Sequence, residues 1–251
     1  MNTARPVTIL TGASRGMGRA LAELLLQRGH RLLTLQRHPS PLPAAHDTDA
    51  QAWAVDLSDP LPVAERLQAW IAALAPSQVS ALTLINNAAL LVEPGPLAAA
   101  DLAAISRATR ASLEAPLLLT AAFLRASAAY AVPRKVLNIS SGLGRHAMAG
   151  SAVYCADKAG MDHFSRAVAL EESAHAAGAA IVSLAPGIID TDMQVQLRSA
   201  DATAFPEQQR FADYKAEGRL DSPHSAAEKL LAYLDRPDFG RKVVADVREP
   251  G

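Results

Sequence analysis

The sequence predicts an α/β fold: one doubly wound domain over residues 1–251, with a seven-stranded parallel sheet and helices on both faces. Three observations predict it. Short apolar runs of strand length alternate with longer stretches of helical periodicity along the whole chain, without internal repeats or a linker. The first strand-to-helix turn is glycine-rich, Thr11-Gly12-Ala13-Ser14-Arg15-Gly16-Met17-Gly18. Polar clusters fall at the C-terminal ends of the expected strands, the rim on which such sheets bind ligands.

The elements follow in order. Val7-Thr8-Ile9-Leu10, bounded by Pro6, reads as a buried strand, and Arg19 to Arg28 as a helix with Leu21, Leu24 and Leu25 inward and Gly29 closing it. Arg31 to Leu35 is the second strand, with Gln36 and Arg37 at its end, followed by a surface loop over 38–50. Gln51 to Val55 is the third strand, and Asp56 beyond it either caps the next helix or faces an adenine. A helix from Pro60 through Ala75 precedes strand Leu82 to Ile85, after which Asn86-Asn87-Ala88-Ala89 either contacts a cofactor or forms a turn. Residues 101–129 read as a helix in two parts around Pro116, and Lys135 to Ile139 as the fifth strand, ending in Ser140-Ser141-Gly142. A helix from Val153 to Ala177 carries Tyr154 and Lys158, four apart and so on one face. Ala180 to Leu184 is the sixth strand, 194–220 a mobile helical lid over the substrate, Ala226 to Leu234 a helix and Val243 to Val247 the last strand.

Composition narrows the function. The 251 residues are 50% hydrophobic, enough for one large core, and the net charge of −1 with no basic run argues against nucleic acid or an anionic membrane as a partner. The single cysteine, Cys155, excludes an internal disulfide and a cysteine-based metal cluster, and no metal site is expected. No apolar run approaches a membrane span, and the first strand starts too early for a signal peptide, so a cytoplasmic protein is expected. The glycine turn predicts a nucleotide pyrophosphate, because backbone N–H groups and the helix dipole favour an anion there. The end of the second strand, where NAD enzymes place an acid for the ribose 2′-hydroxyl, holds no acid; Arg37, with Arg15 in the turn, suits a 2′-phosphate and predicts NADP(H).

The chain resembles the short-chain dehydrogenase/reductase family over nearly its whole length. The carriers are Thr11-Gly12-x-x-x-Gly16-x-Gly18, Asn86-Asn87-Ala88, Ser141, Tyr154-x-x-x-Lys158 and Pro186-Gly187. Pro186 to Gln194 and Ala226 to Leu231 resemble, more narrowly, sepiapterin reductases and bacterial benzil-type carbonyl reductases. The resemblance implies NADPH-dependent reduction of a ketone or diketone carbonyl, with a pterin side chain as another acceptor. It makes Tyr154 the proton donor, with its pKa lowered by Lys158; Ser141 would hold the substrate oxygen. Lys158 would also hold the nicotinamide ribose, and Thr191 and Ile189 the carboxamide. The further cofactor positions are Gly12, Ser14, Met17, Gly18, Asp56, Leu57, Asn87, Ala88, Pro186 and Gly187. Leu143, His146, Met148 and Met193 are expected to line the substrate pocket, and Asp246 stands nearest the place where sepiapterin reductases grip the pterin with a carboxylate. Two positions depart from the family. Ser112 replaces the usual Asn of a water relay, so a modified relay is expected there, and Ala89 replaces a Gly. The helices at 101–129 and 153–177 resemble the family's subunit interface, which implies a homodimer or homotetramer. An NAD-linked alcohol dehydrogenase of the same fold and a non-catalytic NADP(H)-binding sensor are the alternatives.

Overall fold

The computed structural model describes residues 4–39, 41 and 50–249. Seven strands form one sheet in the order β3-β2-β1-β4-β5-β6-β7, where β1 is Arg5–Thr11, β2 Arg31–Gln36, β3 Ala50–Ala54, β4 Val79–Asn86, β5 Arg134–Ile139, β6 Ala180–Ala185 and β7 Val244–Asp246. Every pairing is parallel, with Ile9 opposite Leu33 on one side and Leu84 on the other.

Alternation along the strands divides the core between the two faces. Val7, Ile9, Leu82, Leu84, Val136 and Ile181 pack toward α2 (Pro60–Ala72) and α4 (Ala115–Ser127). Leu10, Ile85, Leu137, Val182 and Leu184 pack toward α1 (Gly16–Gln27) and α8 (Pro223–Leu234). Helix α1 ends in Gly29 at φ 81°, with Gly29 and His30 donating to Leu26 and Leu25 at 3.0 Å, a paired closure that requires a left-handed residue.

The helical stretch 101–129 changes its winding ahead of Pro116 rather than breaking around it. Helix α3 (Leu102–Thr109) runs into a π-helical turn over Arg110–Glu114 and on into α4 without leaving helical backbone, and Pro116, which has no N–H to donate, follows directly on that turn. Helix α5 (Ala152–Ser173) stops four residues short of the expected end. The chain must turn tightly there, since a Cβ on Gly178 would lie 1.9 Å from the Glu172 carbonyl oxygen. The expected lid is folded: α6 (Asp192–Arg198) and α7 (Gln208–Ala216) enclose a small core of Leu197, Ala200, Phe205, Phe211 and Tyr214. Most of the loop expected over 38–50 lies outside the described residues, and Ala50 already belongs to β3. No described helix is long and apolar enough to cross a membrane, and the described residues hold no cluster suited to a metal ion.

Candidate active site

The strand order reverses between β1 and β4, and a cleft of about 1260 Å³ opens beyond their C-terminal ends. The two strand ends are stapled together. Thr11 Oγ1 accepts from the Asn87 and Ala88 amides at 2.9 Å, and Asn87 Nδ2 donates to the Thr11 and Gly12 carbonyls at 3.0 Å. Asn87 thus serves the turn, whereas Asn86 faces inward and donates to Asn138 Oδ1 at 2.8 Å. The glycines are required by this geometry: Gly12 has φ 72°, and a Cβ on Gly18 would stand 1.9 Å from the Gly12 oxygen and 2.6 Å from Asn87 Nδ2. No side chain caps α1, so its first-turn amides remain available to an anion. Arg15, Arg37 and His38 line the same end of the cleft. Asp56 lies beside them and does not cap α2. Its Oδ1 accepts from the Ser58 amide and hydroxyl at 2.9 Å, and the amide, ahead of the Arg37 charge, holds the carboxyl below its usual range. An uncapped helix N-terminus and a turn that excludes Cβ atoms fit the pyrophosphate of a dinucleotide.

Every position expected to meet cofactor or substrate lines the cleft, together with Ser141, Tyr154 and Lys158. Ser112 does not. It is fully buried in the π-helical turn, where its Oγ accepts from the Leu90 amide at 2.9 Å and donates to the Leu90 oxygen at 3.3 Å. Its proton is therefore committed to the backbone after β4, and the wall position facing the cleft is Ala111. Asp246 also departs from expectation: it does not line the cleft, and both its oxygens accept from Arg248.

Ser141 lies two residues past the end of β5 and Tyr154 in the first turn of α5, and the serine hydroxyl is near enough to act on the phenol. Burial pushes the Tyr154 phenol up to about 12, and the Ser141 hydroxyl opposes that rise. Lys158 is expected to lower this pKa, but its Nζ donates to the Ile139 carbonyl at 2.7 Å and stands 5.6 Å from the tyrosine ring centroid. Burial brings Lys158 itself down to about 8, against the pull of Asp157 and Asp162. Asp162, one turn further along α5, is buried; its Oδ1 accepts from Ser140 and Ser183 Oγ at 2.6 Å, and its Oδ2 from Arg145 Nε at 3.2 Å. This carboxylate fixes the residue preceding Ser141 and the turn following it. Asp162 stands outside the sequence motifs, although its place four residues after Lys158 puts both on one helix face. Leu91, on the segment after β4, also lines the cleft, and Arg210, Tyr214 and Arg248 reach it only through the folded cap and the segment after β7.

Residues 6–202 match the short chain dehydrogenase family model. Benzil reductase ((S)-benzoin forming) of Bacillus cereus is 31% identical, covering 96% of this chain and 98% of the relative. Sepiapterin reductase of Rattus norvegicus is 34% identical, over 93% of this chain and 92% of its own. A short-chain dehydrogenase/reductase crystal structure from Burkholderia vietnamiensis covers 98% of this chain and 100% of its own at 35% identity and TM-score 0.63. A Saccharomyces cerevisiae protein, 20% identical with TM-score 0.81 over 98% of this chain and 97% of its own, shares the fold. The matches span the glycine turn, the stapled strand ends and the Ser–Tyr–Lys rim alike, and this chain belongs to the short-chain dehydrogenase/reductase family of nicotinamide-dependent oxidoreductases.

Proposed function

We propose that the protein reduces a ketone or diketone carbonyl with NADPH, Tyr154 delivering the proton. The observation that carries this reading is the convergence of Ser141 and Tyr154, with Lys158 one turn away, on the rim of a cleft that fits a dinucleotide. The cofactor, when bound, supplies the hydride. Ser141 and Tyr154 hold the substrate oxygen between two hydroxyls. The phenol, with its pKa raised to about 12, keeps its proton at neutral pH until charge develops on that oxygen, the state a general acid needs for reduction. Lys158, still mostly charged at pH 7, places a cation beneath the pair. Arg37 and Arg15, with Gln36 where an acid would stand, support NADP(H) over NAD. The Bacillus relatives, named for forming (S)-benzoin from benzil, support a diketone; the engagement of Asp246 by Arg248 counts against a pterin grip of the expected kind. Leu102 and Leu170, 81% and 74% exposed on α3 and α5, support a homo-oligomer through these helices, which a light-scattering mass distinguishes from a monomer.

The test is NADPH oxidation over benzil, sepiapterin, a simple α-diketone and a β-keto ester, with NADH in parallel. Turnover with NADPH on one class is expected. Tyr154→Phe is expected to lower kcat about 10²- to 10⁴-fold with NADPH binding retained. Turnover that survives the substitution would remove Tyr154 from the chemistry.

A further inference from the structure

We propose that Arg248 anchors an anionic oxygen group of the substrate, so that the acceptor is a largely apolar ketone or diketone carrying a carboxylate. The proposal deepens the carbonyl-reductase reading and rests on it. Beyond Ser141 and Tyr154 the cleft wall carries the apolar side chains of Leu143, Met148, Met193 and Phe211, with His146 and Gln194 among them. The segment bearing Arg248 adjoins it: Arg145, in the turn after Ser141, donates through Nη2 to the Ala245 carbonyl at 2.9 Å.

Arg248 is held in one orientation. Its Nε donates to Asp246 Oδ1 at 2.8 Å and its Nη2 to Oδ2 at 2.6 Å, while its amide donates to Oδ1 at 2.9 Å. Asp246 is buried, whereas the Arg248 side chain is 59% exposed at the cleft. The fork occupies one edge of the guanidinium and leaves the two Nη1 protons outside it. A guanidinium fixed in this way loses little conformational freedom when it takes a second oxyanion.

The other arginines toward this end differ in one respect. Arg198 pairs with Asp190 at 3.4 Å and Arg210 with Glu207 at 3.1 Å, and both those carboxylates line the cleft themselves. The carboxylate that balances Arg248 stands behind the wall. The cleft surface therefore presents the free Nη1 edge of a guanidinium whose own carboxylate does not line the cleft, and an anionic substituent adds a second oxyanion at that edge. A neutral diketone fills the apolar walls and makes no charge-assisted contact here.

The test compares benzil with 4-carboxybenzil at saturating NADPH, in the parent protein and in Arg248→Met and Arg248→Lys. The parent is expected to favour the carboxylated compound about tenfold to hundredfold in kcat/KM. Arg248→Met should abolish that preference and Arg248→Lys should keep part of it. Dissociation constants of the same pair with the NADP⁺-loaded proteins give a readout apart from turnover. Equal constants for the pair in the parent, or a preference that survives Arg248→Met, overturn the proposal. Absence of turnover on both compounds overturns the carbonyl-reductase reading, and the binding constants then decide Arg248 alone. If Arg248→Met does not fold, loss of the preference in parent protein at high salt decides the same point, since a charged contact at an exposed guanidinium is screened.

Discussion

The two ends of the cleft are built on opposite plans. The nucleotide end is made of backbone: a turn that excludes Cβ atoms, an uncapped helix and two strand ends joined through Thr11 and Asn87. The substrate end is made of side chains from elements distant in sequence. There α6 and α7 close over Phe205, whose ring stacks on Phe211 at 5.7 Å, and Phe211 meets Tyr214 edge-on at 5.9 Å. A backbone site tolerates few residue types at each position, whereas a side-chain site can be re-specified one residue at a time. The difference explains how a fold can keep its cofactor while changing its substrate.

The strongest way to break this contrast is Gly18→Ala. The added methyl meets the Gly12 carbonyl oxygen, which cannot move without opening the Thr11–Asn87 staple. Strain of about 1–3 kcal/mol or more is expected. Calorimetric titration should show NADPH binding lost or weakened by orders of magnitude, and retained affinity would show that the turn is pliable. Phe205→Ala tests the other end. The ring is fully buried and sits on Gly150, where φ is 75° and a Cβ would stand 2.7 Å from Cδ2. Its removal should cost about 3–5 kcal/mol of cap packing. KM for the carbonyl should rise while the NADPH dissociation constant stays put; an equal rise in both would show that the two ends form one cooperative unit.

The chemistry between the two ends answers to pH. Lys158 loses its charge as pH rises through about 8, so kcat for reduction should be level near neutrality and fall above that value, approaching tenfold per unit. Stability should move the other way. The lysine's unfolded value is 10.5, so the unfolded chain binds more protons between about 8 and 10.5, and Lys158's own contribution to stability rises with pH there. Melting temperatures of the protein and Lys158→Met across that window check the sign. A profile level through pH 10 would mean the lysine charge is dispensable. The smallest effect is at the seam, where Arg15 and Asp192 pair at 2.6 Å with side chains 74% and 67% exposed. A double-substitution cycle on melting temperature should give a coupling below about 1 kcal/mol, vanishing at high salt. A larger coupling would make the bridge a structural tie between turn and cap.

The same contrast governs what the sequence discloses. The glycine turn, the strand ends and Tyr154 with Lys158 are short-range patterns, and the structure brings all of them to one rim. The bonds of Ser112 to the Leu90 backbone span 22 residues, and no local pattern announces them. Asp246 stands nearest the place where a carboxylate would meet a pterin, but an arginine two residues later takes both its oxygens. Arg210 and Arg248 belong to the cleft only once α7 and the chain end have packed, so spacing carries no trace of them.

Asp162 has a mechanical consequence. One oxygen clamps Ser140 at the end of β5 to Ser183 in β6, and the other holds Arg145, which reaches on to β7. Sliding β5 against β6 would strip a buried carboxylate of its donors, a penalty of about 1–3 kcal/mol or more. The last three strands thus behave as one stiff plate. Any flexing that admits a dinucleotide falls to elements outside that plate, among them the cap and its exposed Arg15–Asp192 bridge to the glycine turn.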